Sequence, residues 1–214
     1  KVYSANPATG NATEYIVEVQ KVELCEDSAC STSTTVGDTS ASFNIASSSA
    51  GAEVGSFAKT TGLPLGTTFT HLRVTVSRTF TITGSVTTDN GDCMTDGGTD
   101  AGATQLLVGK LTGSAVSTSM FLPNTGSYGA TDGTRDGDVG SSNIDMDYSH
   151  PQFATSMTVS GSTAAMIYQL TNPYTVKFKS PLIKVKFQTN NAIGAFRLDA
   201  ATDICSMYPE EPLV

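Results

Sequence analysis

The chain of 214 residues has no tryptophan, only two histidines, and 12 Lys and Arg against 20 Asp and Glu. Each scarcity removes a class of function. A net charge of −8 with thinly spread basic residues excludes a nucleic-acid binder, because phosphate backbones are held by concentrated Lys and Arg. Aromatic residues make up 7% of the chain, which argues against a sugar cleft lined by stacking rings. No apolar run approaches the roughly 20 residues of a membrane helix, so no membrane span is expected. No stretch carries a convincing helical period. Charged residues are 15% of the chain, against about 25% in an average soluble domain. Ser, Thr, Gly and Ala take their place. A surface of hydroxyls and small side chains suits contacts with like copies, since few long side chains are immobilised or desolvated there.

The first residue is Lys1 rather than Met, with no basic and apolar leader near it, as expected of the mature form of an exported protein. The length allows one substantial core and one domain. Four cysteines permit three full pairings. The expected pairs are Cys25 with Cys30, flanking the turn Glu26, Asp27, Ser28, Ala29, and Cys93 with Cys205. The second pair would tie the middle of the chain to its end, worth about 3 to 5 kcal/mol of loop entropy. A zinc site is the alternative, but such sites join two close ligand doublets, and Cys93 and Cys205 belong to none. Disulfides in turn imply an oxidising compartment.

The clearest periodicity has a spacing of two. In Glu14 to Leu24, Tyr15, Val17 and Val19 alternate with polar residues, and after a slip Val22 and Leu24 resume the pattern, as in a half-buried strand. Phe43 and Ile45 mark a short strand, and Ala46 to Ala52 reads as a loop. Leu63 to Gly66 form a turn into Thr67 to Gly84, where Phe69, Leu72, Val74, Val76, Phe80 and Ile82 interleave with Thr, Arg and Ser. This segment predicts one long strand or two joined at a bend, with a bulge-like phase change near His71. Further expected strands are Gln105 to Leu111, Ala154 to Val159, Ala164 to Leu170, Tyr174 to Lys179, Leu182 to Gln188 and Ile193 to Leu198. Pro173 and Pro181 sit where two of them start, and Asn190 and Asn191 make a turn. Asp89 to Thr104 and Asn124 to His150, rich in Gly, Asp, Ser and Thr, read as long surface loops.

Three pieces stand in order in the first part of the chain: IVEVQKVEL (Ile16 to Leu24), SFNIAS (Ser42 to Ser47) and GLPLGTTFTHLRVTVS (Gly62 to Ser77). Over Tyr15 to Arg78, about a third of the chain, they resemble a family of bacterial and archaeal surface and lipoprotein domains of unassigned function with a transthyretin-like β-sandwich. The resemblance implies a sandwich fold and an extracellular setting, and supplies no catalytic residue. It stops near Gly84 and does not include the cysteines. The low charge and Thr-rich strands are also similar in style to extracellular filament subunits that join by donating a strand.

Few groups suggest chemistry. His71 falls in a strand and His150 precedes Pro151 at a loop exit, so both read as structural, and no G-x-S-x-G nucleophile elbow is present. Asp132, Asp136, Asp138, Asp145 and Asp147 crowd one Gly-rich loop and form a candidate calcium site, although the spacing is not that of an EF-hand. Asp89, Asp92, Asp96 and Asp100 surround Cys93 in a second acidic loop. Asp and Gly are also ordinary turn residues, and a solvated loop is the simpler account of both. Asn11, Ala12 and Thr13 form the one glycosylation sequon.

These features lead to an expectation of an all-β chain: a single β-sandwich, transthyretin-like or jelly-roll-like, over residues 14–207 with long Gly- and Asp-rich loops. A polar arm, 1–13, precedes it and a tail, 208–214, follows. The expected role is non-enzymatic. Identical copies at the cell surface would form an extracellular filament or sheath, a terminal segment of each completing the sheet of the next. No cofactor is required, and calcium is the one candidate. The alternative is a monomeric adhesin or glycan-binding module acting through its loops; a secreted hydrolase has least behind it.

Overall fold

The structure, a computed structural model, describes residues 8–46, 62–88, 91–99, 109–122, 155–178, 191–199 and 204–209. Among them twelve strands follow in order: β1 (Ala8–Cys25), β2 (Ser33–Gly37), β3 (Ala41–Asn44), β4 (Thr68–Ser77), β5 (Thr79–Thr88), β6 (Gly91–Thr95), β7 (Gly109–Lys110), β8 (Thr118–Phe121), β9 (Ser156–Ser160), β10 (Thr163–Thr175), β11 (Ile193–Asp199) and β12 (Ile204–Pro209). The fold is all-β and sandwich-like, as the alternating pattern predicts.

β1 is the spine. Val19 faces Ala41 on one side and Val76 on the other, and Ile16 likewise faces Asn44 and Thr81. Its side chains alternate inward through Tyr15, Val17 and Val19, and the ladder then shifts register between Val19 and Lys21. That irregularity is the slip expected from the sequence. It returns Val22 and Leu24 to the core.

β4 and β5 run along β1 almost as one strand, bent at Arg78 where the sequence allowed a bend. Their inward residues, Phe69, Leu72, Val74, Val76, Phe80, Ile82 and Val86, are buried, and Phe80 meets the Tyr15 ring edge-on at 5.7 Å. Pairing continues β4–β10–β9 on one side of the molecule. On the other, the pairings β1–β5, β5–β6, β6–β7, β7–β12, β12–β11 and β11–β1 return to the strand they began from. The sheet curls at that end yet stays open as a whole, with β8 and β9 at its limits. Gly194 sits opposite Tyr208 in the curled part, and a Cβ there would run into the tyrosine ring.

Several elements differ from expectation. β1 begins at Ala8, so residues 8–13 of the segment read as an arm are sheet, paired with β11 and β5. Short polar side chains hid a strand whose stability comes from its two ladders. The His71 phase change is real, since His71 and Leu72 are both buried, but β4 passes through it without a break. The irregularity lies in the partner, between Gln169 and Tyr174. Pro173 falls in this bulge rather than at a strand start, because an unpaired position tolerates the missing N–H.

β6 occupies part of what read as a loop, Asp89 to Thr104, and β12 takes in Tyr208 and Pro209 of the expected tail. Of the expected strand Gln105 to Leu111, the described part is β7, followed by a bend. The expected strand Leu182 to Gln188 lies outside the described residues, as does the loop Asn124 to His150.

Candidate functional site

Both expected disulfides are present, Cys25–Cys30 with a Cα separation of 4.9 Å and Cys93–Cys205 with 6.1 Å. The second reaches from β6 to β12 across β7, whose Gly109 pairs with both Thr95 and Cys205. A side chain at Gly109 would stand 2.6 Å from Cys205 Sγ. Only glycine lets the bridge close over this strand.

The Cys25–Cys30 loop folds onto the outer face of the sheet, where the bridge packs against Ile167 in a small second core. Asp27 organises the loop. Its carboxylate accepts from the Ser31 hydroxyl and from the backbone N–H groups of Ala29, Ser31 and Thr32. These donors, Ser31 first, hold its pKa down at about 2. Beside the loop, buried Glu23 receives Arg73 Nε at 2.7 Å, Lys21 Nζ at 2.9 Å and Ser33 Oγ at 3.1 Å. The Arg73 hydrogen bond is the main reason its pKa also falls to about 2. A carboxylate so fully paired is ionised and occupied. It pins β1, β2 and β4 together and offers no free base.

His71, in β4, is buried and bonds through Nδ1 to Thr70 Oγ1 at 2.8 Å, opposite Cys25 on β1 and Gln169 on β10. His150 lies outside the described residues, as do Asp89, Asp100 and the candidate calcium ligands Asp132, Asp136, Asp138, Asp145 and Asp147. Asp92 accepts from Thr87 Oγ1, and Asp96 from the Gly98 N–H, as turn carboxylates do. Among the described residues no group of three His, Cys, Asp or Glu could hold a metal ion. Asn11, the sequon asparagine, is exposed within β1 and accepts from the Asn191 N–H.

The remaining candidate feature is an edge. β9 pairs with β10 and, among the described residues, with no other strand. Met157 and Val159 are half-buried on one face, Val159 against the main core, while Ser156, Thr158 and Ser160 are exposed on the other. Protein edges are normally blunted by Lys, Pro or a bulge, and Ser156 to Ser160 contain neither Lys nor Pro and pair with β10 in unbroken register. No Asp, Glu, Lys or Arg occurs anywhere from Pro151 to Val176. That uncharged run is the sequence signal of this edge, and strand periodicity alone did not single it out. β2, at the opposite limit of this part of the sheet, pairs among the described residues with β1 alone and lies in another uncharged stretch, Ser28 to Gly37, as β3 and β8 lie in Thr39 to Ala52 and Leu111 to Thr131.

Comparison of the chain with protein-family models, with curated proteins and with solved structures returned no match.

Proposed function

We propose that the chain is a structural subunit of an extracellular assembly in which identical copies join by adding strand to strand. The observation that carries this reading is β9, an uncharged, unbulged strand without proline at the limit of the sheet. Such an edge presents main-chain donors and acceptors to any strand of matching shape.

Two further features support it. The disulfides fit an oxidising setting outside the cytoplasm, and no helix among the described residues is long and apolar enough to cross a membrane. The ionisable groups described above are held in structural hydrogen bonds, which suits a building element. The donor-arm form of the idea narrows, because residues 8–13 already belong to their own sheet. Edge-to-edge addition is the form that β9 supports, and residues 1–7 and 210–214, the rest of the expected donor segments, lie outside the described residues.

Size-exclusion chromatography and negative-stain microscopy of the purified chain test the proposal, with a variant lacking residues 1–7 as comparison. Oligomers or filaments are expected from both. A monodisperse monomer across concentration, salt and calcium would sink it.

A further inference from the structure

The partner of the β9 edge follows from its own sequence, given the assembly reading above on which this step rests. We propose that β9 pairs antiparallel with β9 of a second copy about Thr158, so that two molecules share one continuous sheet.

The first argument is charge. A chain carrying −8 repels its own copies across most of its surface, and β9 lies in a segment with no ionised side chain. The second is side-chain type. Read in either direction, Ser156-Met157-Thr158-Val159-Ser160 is hydroxyl, apolar, hydroxyl, apolar, hydroxyl. A two-fold axis through Thr158 sets Ser156 opposite Ser160, Met157 opposite Val159, and Thr158 opposite itself. Directly opposed residues of antiparallel strands share a face. Both Met–Val pairs therefore fall on the core side, where Val159 already packs, and the hydroxyl pairs fall outside.

Pairs of these kinds are the unit of sheet stability. The half-buried Met157 and Val159 are where the core runs out, and a second copy covers them. The third argument is a comparison with β2, one of several other strands, β3 and β8 among them, that pair with a single strand among the described residues. β2 reads Ser33-Thr34-Thr35-Val36-Gly37, and its single apolar side chain, Val36, is already buried. It gives Met157 and Val159 nothing comparable to meet. A two-fold contact closes at two copies, so the β9 pair is the repeating unit and growth uses another surface.

Thr158 is exposed and self-opposed, which makes the test direct. The four native cysteines are all paired, so in Thr158→Cys the new thiol is the one free sulfur. Opposed Cα atoms about 4.5 to 5.5 Å apart are within disulfide reach. Mild oxidation is expected to give a covalent dimer on a non-reducing gel, and Thr35→Cys on β2 to give none.

In parallel, Thr158→Lys and Thr158→Glu should each weaken self-association by about ten-fold or more, since like charges then stand face to face. Their thermal midpoints should match the wild type at dilutions where it too is monomeric, and an equimolar mixture of the two should dimerise again. No covalent dimer from Thr158→Cys, or wild-type association of Thr158→Lys, overturns the proposal. Filaments that persist in Thr158→Lys would remove the β9 pairing and leave the assembly reading standing. A covalent Thr158→Cys dimer in a protein that never grows further keeps the pairing and removes the assembly.

Discussion

Glu23 and Arg78 are the two buried charges among the described residues, and they are handled in opposite ways. Glu23 is balanced by cations, which hold its pKa at about 2, well below the ordinary 4.5. A carboxyl whose folded pKa is depressed contributes stability above its unfolded value, and that contribution fades as the pH falls through about 4.5 toward 2. At neutral pH Glu23→Gln is expected to lower the unfolding free energy by about 2 kcal/mol, less than the full shift implies because Lys21 and Arg73 reach solvent. Denaturant titrations at descending pH should see the gap to wild type close; a constant gap would contradict the account.

Arg78 instead donates to two backbone carbonyls, Leu122 O through Nε at 2.8 Å and Gly161 O through a terminal nitrogen at 2.7 Å, and lies over the Phe121 ring at 4.2 Å. Burial among neutral partners pushes its pKa down from the usual arginine value. It staples the β4–β5 bend to the end of β8 and the β9–β10 turn. Arg78→Ala should lose about 3 kcal/mol, and Arg78→Lys should recover little, because one ammonium cannot span both carbonyls and stack on the ring. Chemical denaturation of the two variants measures this.

At the scale of elements, what the sequence announced depends on what fills the core. β1, β4 and β5 were legible because Val, Ile, Leu and Phe alternate in them, and the slip in β1 was visible in the spacing of Val19 and Val22. β6 and β8 were not, because hydroxyls stand at inward positions. Thr95 and Thr118 are fully buried. Thr118 Oγ1 donates to Val116 O and accepts from the Gly97 N–H, while Thr95 Oγ1 accepts from the Gly84 N–H. A threonine that satisfies its hydroxyl locally serves as a core residue yet reads as a loop residue. The two cysteine pairs were legible from spacing, whereas the candidate edge was hidden because its signal is a missing charge.

The Cys93–Cys205 bridge links β6 to β12 across β7, which touches its neighbours through very few residues. Replacing both cysteines by Ala should therefore reduce stability by about 3 to 5 kcal/mol. Reduction of the wild-type protein should shift its denaturation midpoint in the same direction.

For the whole molecule, net charge and neutral edges set the conditions of association. Copies that meet at an uncharged strand still carry −8 each, so self-association should strengthen as salt shortens the Debye length below about 10 Å, and again as the pH falls toward the pI near 4.6. Light scattering across a salt series checks this, and association that weakens with salt would point to ion pairs at the interface instead. The way β1 is paired has a further consequence, in time rather than in space. Its first residues, Ala8 to Gly10, pair with Ile193 to Ala195, and Cys93 waits for Cys205. The start of β1 thus finds one of its ladders far along the chain, while the rest of the strand pairs with β2 to β5 close by, and contacts as distant as the first kind form slowly. A chain threaded outward amino end first would build the ladders of β1 with β2 to β5 early, and would complete its curled end only after β11 and β12 had crossed, on the oxidising side where its second disulfide can form.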